Sequence, residues 1–335
     1  MNLSKLAGKQ NTGKIVSAAL ALVLAALAAI LPSLEPRVIL TGVTIFMYII
    51  LAVSWTMFSG SAGYVSLATA AFYGLGVYIA AIFNDQFSLP VLILFGGIAA
   101  FVVALGVGAI TLRLRGVYFT IFTFGLVELL RELINWLELN ITGRRGRLMF
   151  TYLSADTVYY YLLGLAVLAI IVAIIIKRSR FGKALTSIGE SEDAAAHIGV
   201  NTTLVKIIAF GISSAFMGAV GAAMAMRSSY IDSGTAFKAL NSFLPVLMVI
   251  FGGMDRLAGS VIGAAVFAWL QEYLITSKIF SPYYSVTIGA IMILAILFMP
   301  KGLVGLGEKI FNAAKPVIRK TARKEKEKGA GHADT

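Results

Sequence analysis

The chain contains no cysteine and only two histidines, His197 and His332. The first absence excludes a disulfide framework and any cysteine-ligated metal site, and the second excludes a histidine-rich one. Charge is also scarce. Asp, Glu, Lys and Arg together make up 13% of 335 residues, where a soluble domain carries about a quarter. No Pro/Ser-rich linker and no second soluble domain interrupt the sequence. No nucleophile–base–acid set is visible, because both histidines lie in polar segments and the apolar runs carry almost no Asp, His or Lys to activate a serine. Gly8-Lys9-Gln10-Asn11-Thr12-Gly13-Lys14 has phosphate-loop spacing, but Ile15 stands where the metal-binding Ser/Thr belongs and no strand precedes it. The chain is therefore expected to bind no nucleotide itself.

Apolar residues account for 59% of the chain. Crossing the hydrocarbon core takes about 20 of them in a helix. Ten runs approach that length: about 15–31, 38–58, 64–83, 89–111, 117–137, 158–176, 204–226, 240–254, 257–275 and 283–300. The expected fold is an all-α polytopic membrane protein of about ten transmembrane helices. Runs eight and nine also read as a hairpin-like pair or half-helices broken at Gly252-Gly253. Ala26-Leu27-Ala28 after a basic lead mimics a signal-peptide cleavage site, but the run is long and nine more follow, so an uncleaved first span is expected.

Lys and Arg mark cytoplasmic loops. With the N-terminus inside, the inner segments hold Lys5, Lys9 and Lys14, then Arg113 and Arg115, then Lys177, Arg178, Arg180 and Lys183, and Arg256. The division is residues 1–14 as a cytoplasmic N-terminus, 15–300 as the transmembrane domain with a cytoplasmic loop at 177–203, and 301–335 as a basic cytoplasmic tail. The net charge of +12 then reports topology and contact with anionic lipid; nucleic-acid binding is not expected. Thr142-Gly143-Arg144-Arg145-Gly146-Arg147 falls outside, either simply solvated or facing an acidic extracytoplasmic protein.

Residues 179–199 are polar and helix-prone, yet lie between two runs long enough to cross a bilayer. Lipid cannot hold them, so they must sit in water and can be presented to a partner. In the fifth run Glu128 has Arg131 and Glu132 at i+3 and i+4. This is a structural ion pair or a pathway group, since an unpaired charge there costs at least about 2.5–3.5 kcal/mol. Tyr64, Ser66, Thr69 and Tyr73 give the third run a polar lining, with Ser66, Thr69 and Tyr73 spaced for one helix face. These hydroxyls either bond a neighbouring helix or face a solute path. Gly259 and Gly263 are spaced for close helix packing. A faint echo between residues 38–83 and 240–275, each an apolar run broken by glycines, is the kind of pattern that two inverted repeats leave.

These residues resemble the permease subunits of bacterial ABC importers for branched-chain amino acids, of the M (LivM-like) type. The likeness runs over roughly 40–305. It is carried by Arg113-Leu114-Arg115-Gly116-Val117-Tyr118-Phe119 continuing to Glu128 and Arg131, and by Ser179-Arg180-Phe181-Gly182-Lys183-Ala184-Leu185. It continues in Glu192-Asp193-Ala194-Ala195-Ala196 with Gly199, in Gly252-Gly253 with Gly259 and Gly263, and in Met299-Pro300-Lys301-Gly302-Leu303. The resemblance implies a fold related to the vitamin B12-importer (type II) permeases. It implies a bacterial inner-membrane location with both termini cytoplasmic, and as partners a sister permease subunit, two ATP-binding cassette subunits, a periplasmic solute-binding protein and membrane lipids. It implies no cofactor in this chain, ATP being bound by the partners. It makes the segment from Glu192 to Gly199 the coupling helix, with Arg180, Phe181, Gly182, Glu190, Glu192, Asp193, Ala195 and Gly199 as its ATPase-coupling residues. Tyr64, Ser66, Thr69 and Glu128 become substrate-pathway candidates. The expected solute is a small amino-acid-like one, branched-chain amino acids first, but Tyr64 and Thr69 replace the family's usual Gln and His, which opens it to an amide, urea, or an aromatic or organic acid. A secondary transporter or channel using Glu128 is the alternative.

Overall fold

In a bilayer every backbone polar group must be satisfied within the protein, which leaves the helix as the default for an apolar run. The computed structural model describes residues 36–149, 153–254, 256–277, 286–291, 293, 302–303 and 305. The first run, most of the tenth and the basic tail lie outside the described residues. The elements are α1 (Pro36–Trp55, continued as a π-helical turn Thr56–Gly60), α2 (Thr69–Phe83), α3 (Leu89–Thr111), α4 (Val117–Thr142), β1 (Arg147–Leu148), α5 (Ala155–Arg178), α6 (Arg180–Glu190), α7 (Glu192–His197), α8 (Thr202–Ala225), β2 (Tyr230–Ile231), α9 (Ser233–Ala236), α10 (Leu240–Gly252) and α11 (Leu257–Thr276).

Among the described residues six helices are long and apolar enough to cross a membrane: Val38–Gly60, Leu89–Thr111, Ala155–Arg178, Thr202–Ala225, Ser233–Gly252 and Leu257–Thr276. Helix α4 is longer, at 26 residues, but Glu128, Arg131, Glu132 and Glu138 keep it out of that set. Runs eight and nine are two separate helical stretches, α9–α10 and α11, divided after Gly252.

The interior is built on backbone-to-backbone contact. A Cβ on Gly76 of α2 would stand 1.9 Å from the Gly218 carbonyl oxygen, and one on Gly218 of α8 would stand 2.3 Å from that of Gly96 in α3. Glycine is thus required where α2, α3 and α8 meet, because lipid supplies no hydrophobic drive between helices and close van der Waals approach replaces it. The expected packing role of Gly259 and Gly263 is visible in the same terms: each lies against the backbone of α10, at Gly252–Gly253 and at Met248 with Gly252.

The third run departs from the expected continuous helix. Residues 63–68 are non-helical, and α2 starts only at Thr69. Ser66 therefore does not share a helix face with Thr69 and Tyr73. Much of this non-helical backbone is bonded by side chains instead. Trp55 Nε1 donates to the Ser66 carbonyl, Thr120 Oγ1 donates to that of Val65, and Thr123 Oγ1 accepts from Leu67 N–H. Ser59 Oγ accepts from Ser66 N–H and Ser242 Oγ from Ala70 N–H.

Among the described residues the helices are interrupted by one short extended pairing. β1 and β2 form a two-residue antiparallel ribbon, Arg147 opposite Ile231. Its anchor is Glu138, 5% exposed, which lies 3.5 Å from Arg147 and accepts from Gly146 N–H at 3.0 Å and Tyr78 Oη at 3.2 Å. Arg147 is thus a structural partner, while Arg144 and Arg145 are exposed.

Substituting Gly218 with Ala should lower the melting temperature of the detergent-purified protein, since overpacking costs roughly 1–3 kcal/mol. Gly106→Ala, where a Cβ meets nothing within 4 Å, should leave it unchanged or slightly raised.

Candidate functional site

The polar stretch after α5 folds as two short helices hinged on one residue. Ser179 caps α6 by accepting from Gly182 N–H at 3.1 Å. Gly182 is required there, because a Cβ would lie 2.0 Å from the Ile176 carbonyl oxygen. Gly182, Leu185 and Ile188 are buried on one side of α6, and Phe181 packs against the core from its edge, while Arg180 is exposed. Ser191 ends α6 and caps α7 by accepting from Ala194 N–H.

Helix α7 is closed by a two-bond αL cap: Val200 N–H donates to the Ala195 carbonyl and Gly199 N–H to that of Ala196, with Gly199 at φ +87°. Glu192 and Asp193 occupy its first turn, where they favour the helix dipole. Glu190 does not; it is the last residue of α6 and exposed. Ala195 is 2% exposed and faces the protein's own interior. The outward surface is made by Ala194, Ala196, His197 and Ile198.

Beneath that surface lies a charge cluster. The Lys206 ammonium on α8, 3% exposed, donates to Glu192 Oε1 at 2.6 Å, to the Leu112 carbonyl at 3.0 Å and to the Tyr64 hydroxyl at 3.2 Å. Its three protons therefore have three acceptors. Leu112 is the residue at which α3 ends, so the lysine also takes up an orphan helix-end carbonyl. The Tyr64 hydroxyl donates in turn to Glu192 Oε2. Arg115 closes the outer side, 3.7 Å from Glu192 and 3.1 Å from Asp193.

Burial alone raises the affinity of Glu192 for a proton, but the hydrogen bonds from Lys206 and Tyr64 and the charges of Lys206 and Arg115 outweigh it. The carboxyl is held below the usual glutamate range. A depressed carboxylate contributes stability above its unfolded value and loses it as pH falls through the folded one, so the cluster is complete at neutral pH and opens only in acid.

The other expected residues lie elsewhere. Glu128 pairs with Arg131 at 2.6 Å, and Arg131 also reaches Glu132 at 3.1 Å. All three side chains are a third or more exposed on the flank of α4. Ser66 and Thr69 are buried at 4% and 0%. Ser66 Oγ accepts from Ala68 N–H, and Thr69 Oγ1 has no hydrogen-bond partner among the described residues. Tyr64 belongs to the loop cluster rather than to a set with these hydroxyls.

The family described as branched-chain amino acid transport system / permease component matches residues 38–297. The chain belongs to this family. The permease is 28% identical over 301 residues to the high-affinity branched-chain amino acid transport system permease protein LivM of Escherichia coli K12, covering 77% of this chain and 67% of that one. It is 26% identical to LivH of the same organism, covering 50% and 53%. It is 24% identical to the autoinducer 2 import system permease protein LsrC of Salmonella paratyphi B, covering 66% and 65%. It is a membrane-spanning permease component of an ABC transporter.

Sequence reasoning missed Lys206 and the Arg115–Asp193 contact in this permease. Lys206 stands alone near the start of the run 204–226, and an ionisable residue in an apolar run is a signal in itself. Its partner, fourteen positions earlier across a loop, is not.

A Cβ at Gly199 would meet nothing within 4 Å, so substitution there acts through the backbone alone. Gly199→Val should strain the left-handed position by about 1–2 kcal/mol and speed amide exchange at Ala195–Val200 roughly tenfold, while Gly199→Asn should stay near wild type.

Proposed function

We propose that this permease is the transmembrane subunit of an importer that carries a small amino-acid-like solute, branched-chain amino acids first among them, into the cytoplasm. Partner ATPases bind and hydrolyse the ATP; this chain uses no cofactor of its own. The solute arrives on a periplasmic binding protein and passes between this subunit and a sister permease in the inner membrane, with both termini cytoplasmic. The observation that carries this reading is the α6–α7 pair. It presents an outward surface of Ala194, Ala196, His197 and Ile198 while its inner side is tied to α3, α8 and the turn before α4. A short, capped helix fixed in this way can seat in a groove on an ATPase and pass on its closure as a rigid push.

The branched-chain substrate rests on the likeness to the LivM and LivH proteins; LsrC, at similar identity, is named for autoinducer 2. The charged flank of α4 supports a partner in the membrane. Glu132 is exposed and Glu128 and Arg131 are half-buried on a helix that also exposes Ile121, Leu129 and Trp136, and lipid solvates such charges poorly. A sister subunit or the water-filled solute route between the two covers them. The Glu128–Arg131 pair at 2.6 Å favours a structural over a proton-carrying role.

The absence of native cysteine makes the test clean. A single cysteine at Ile198 should cross-link to the ATPase in the assembled complex. Proteoliposomes of that complex should take up leucine, isoleucine or valine only with binding protein and ATP. Uptake by this chain alone, or no ATPase captured from position 198, overturns the reading. Glu128→Gln should retain at least half of ATP-driven uptake; its complete loss would favour an ion-coupled carrier.

A further inference from the structure

We infer that Lys206 is the positioning residue that fastens the loop helix α7 to the membrane helices, so that the solute moved per ATP hydrolysed depends on the Lys206–Glu192 pair. The inference rests on the importer reading above and adds a route by which force leaves the loop.

Three observations carry it. First, Glu192 is where α7 is tied down by charge most deeply. Both its carboxylate oxygens are engaged, Oε1 by Lys206 at 2.6 Å and Oε2 by the Tyr64 hydroxyl, whereas the Asp193–Arg115 pair beside it is open to solvent. Second, Lys206 joins separate parts of the chain at one atom. Its Nζ holds α7 through Glu192, the end of α3 through the Leu112 carbonyl, and residue 64 through the tyrosine hydroxyl, and it lies 4.7 Å from the centre of the Tyr64 ring. Third, Tyr64 opens the extended stretch that precedes α2. Its ring meets Phe119 of α4 edge-on at 5.4 Å, and the backbone beyond it is held by side chains of α1, α4 and α10. A displacement of Glu192 is therefore handed to α8 and to α3 through one buried ammonium, and to that stretch both through the ammonium and through the Tyr64 hydroxyl. Lys206 itself takes no part in the outward surface of α7.

A buried pair can also be mere scaffolding, and the design of the test separates the two. Removing one partner of a buried pair is strongly destabilising, while replacing both with apolar residues restores stability. Three variants are assembled with the ATPases, sister permease and binding protein in proteoliposomes: Glu192→Leu, Lys206→Met, and both together. Melting temperature, cross-linking from a cysteine at Ile198, and solute transported per ATP are read for each. Glu192→Leu should melt lowest, since it strands the lysine, and the double variant should regain at least half of that loss. In Lys206→Met and in the double variant the cross-link to the ATPase should persist while solute per ATP falls about tenfold, a loss in the usual range of a coupling between two sites.

Recovery of the transport-to-hydrolysis ratio in step with the melting temperature would show a structural role and overturn the inference. So would an unchanged ratio in Lys206→Met. A wild-type complex that gives neither ATP-driven uptake nor a cross-link from position 198 overturns the importer reading first, and this inference with it. A wild type that gives both while the variants keep their ratio overturns this inference alone.

Discussion

An ammonium group that is 3% exposed can persist only where its charge and all three protons are answered, because an uncompensated buried charge costs several kcal/mol. Lys206 meets that demand with a carboxylate, a phenol and a helix-end carbonyl drawn from three places far apart in the sequence. The demand works in both directions. The lysine needs its partners at hydrogen-bond distance, and so the start of α7, the end of α3 and the tyrosine before α2 are drawn to one point. Around that point the loop helices acquire a fixed inner face, and whatever surface remains is free to meet another protein.

The same rule, that polar groups away from water must be matched, organises the opposite end of the helices. Glu138 is nearly enclosed and gathers Arg147, the Gly146 amide and Tyr78 about itself, and the two-residue ribbon forms where the chain bends to supply them. Between these two polar ends the interior joins close packing to isolated hydroxyl bonds. Glycines of α2, α3 and α8 bring backbones into contact, and hydroxyls such as Ser213, which donates to the Ser54 carbonyl, tie neighbouring helices together. The division suits a protein in lipid: charge where water is near, and close packing where it is not.

Much of this was legible in the sequence. The apolar runs from 38 to 275 became helices near their expected places. The polar composition of 179–199 set it apart from the apolar runs on either side, and two short helices, α6 and α7, occupy it. What stayed hidden has a common physical cause. Lys206 meets Glu192 across a turn of the chain, Glu138 meets Arg147 through a ribbon, and residues 63–68 lose their helix to side chains from elsewhere. Spacing along a helix reports neighbours three or four residues apart and is silent about such pairings. Within the loop the break at Ser191 was not legible either: it makes Glu190 the last residue of α6 and leaves Ala195 turned to the interior.

The stretch before α2 holds one more consequence. A helix carries its hydrogen bonds within itself and can ride along unchanged when its neighbours move. Residues 63–68 have surrendered that independence, borrowing a tryptophan nitrogen and several hydroxyls from α1 with its π-helical turn and from α4. Such a strip acts as a listener: any one of those helices that slides changes what the strip can bond to.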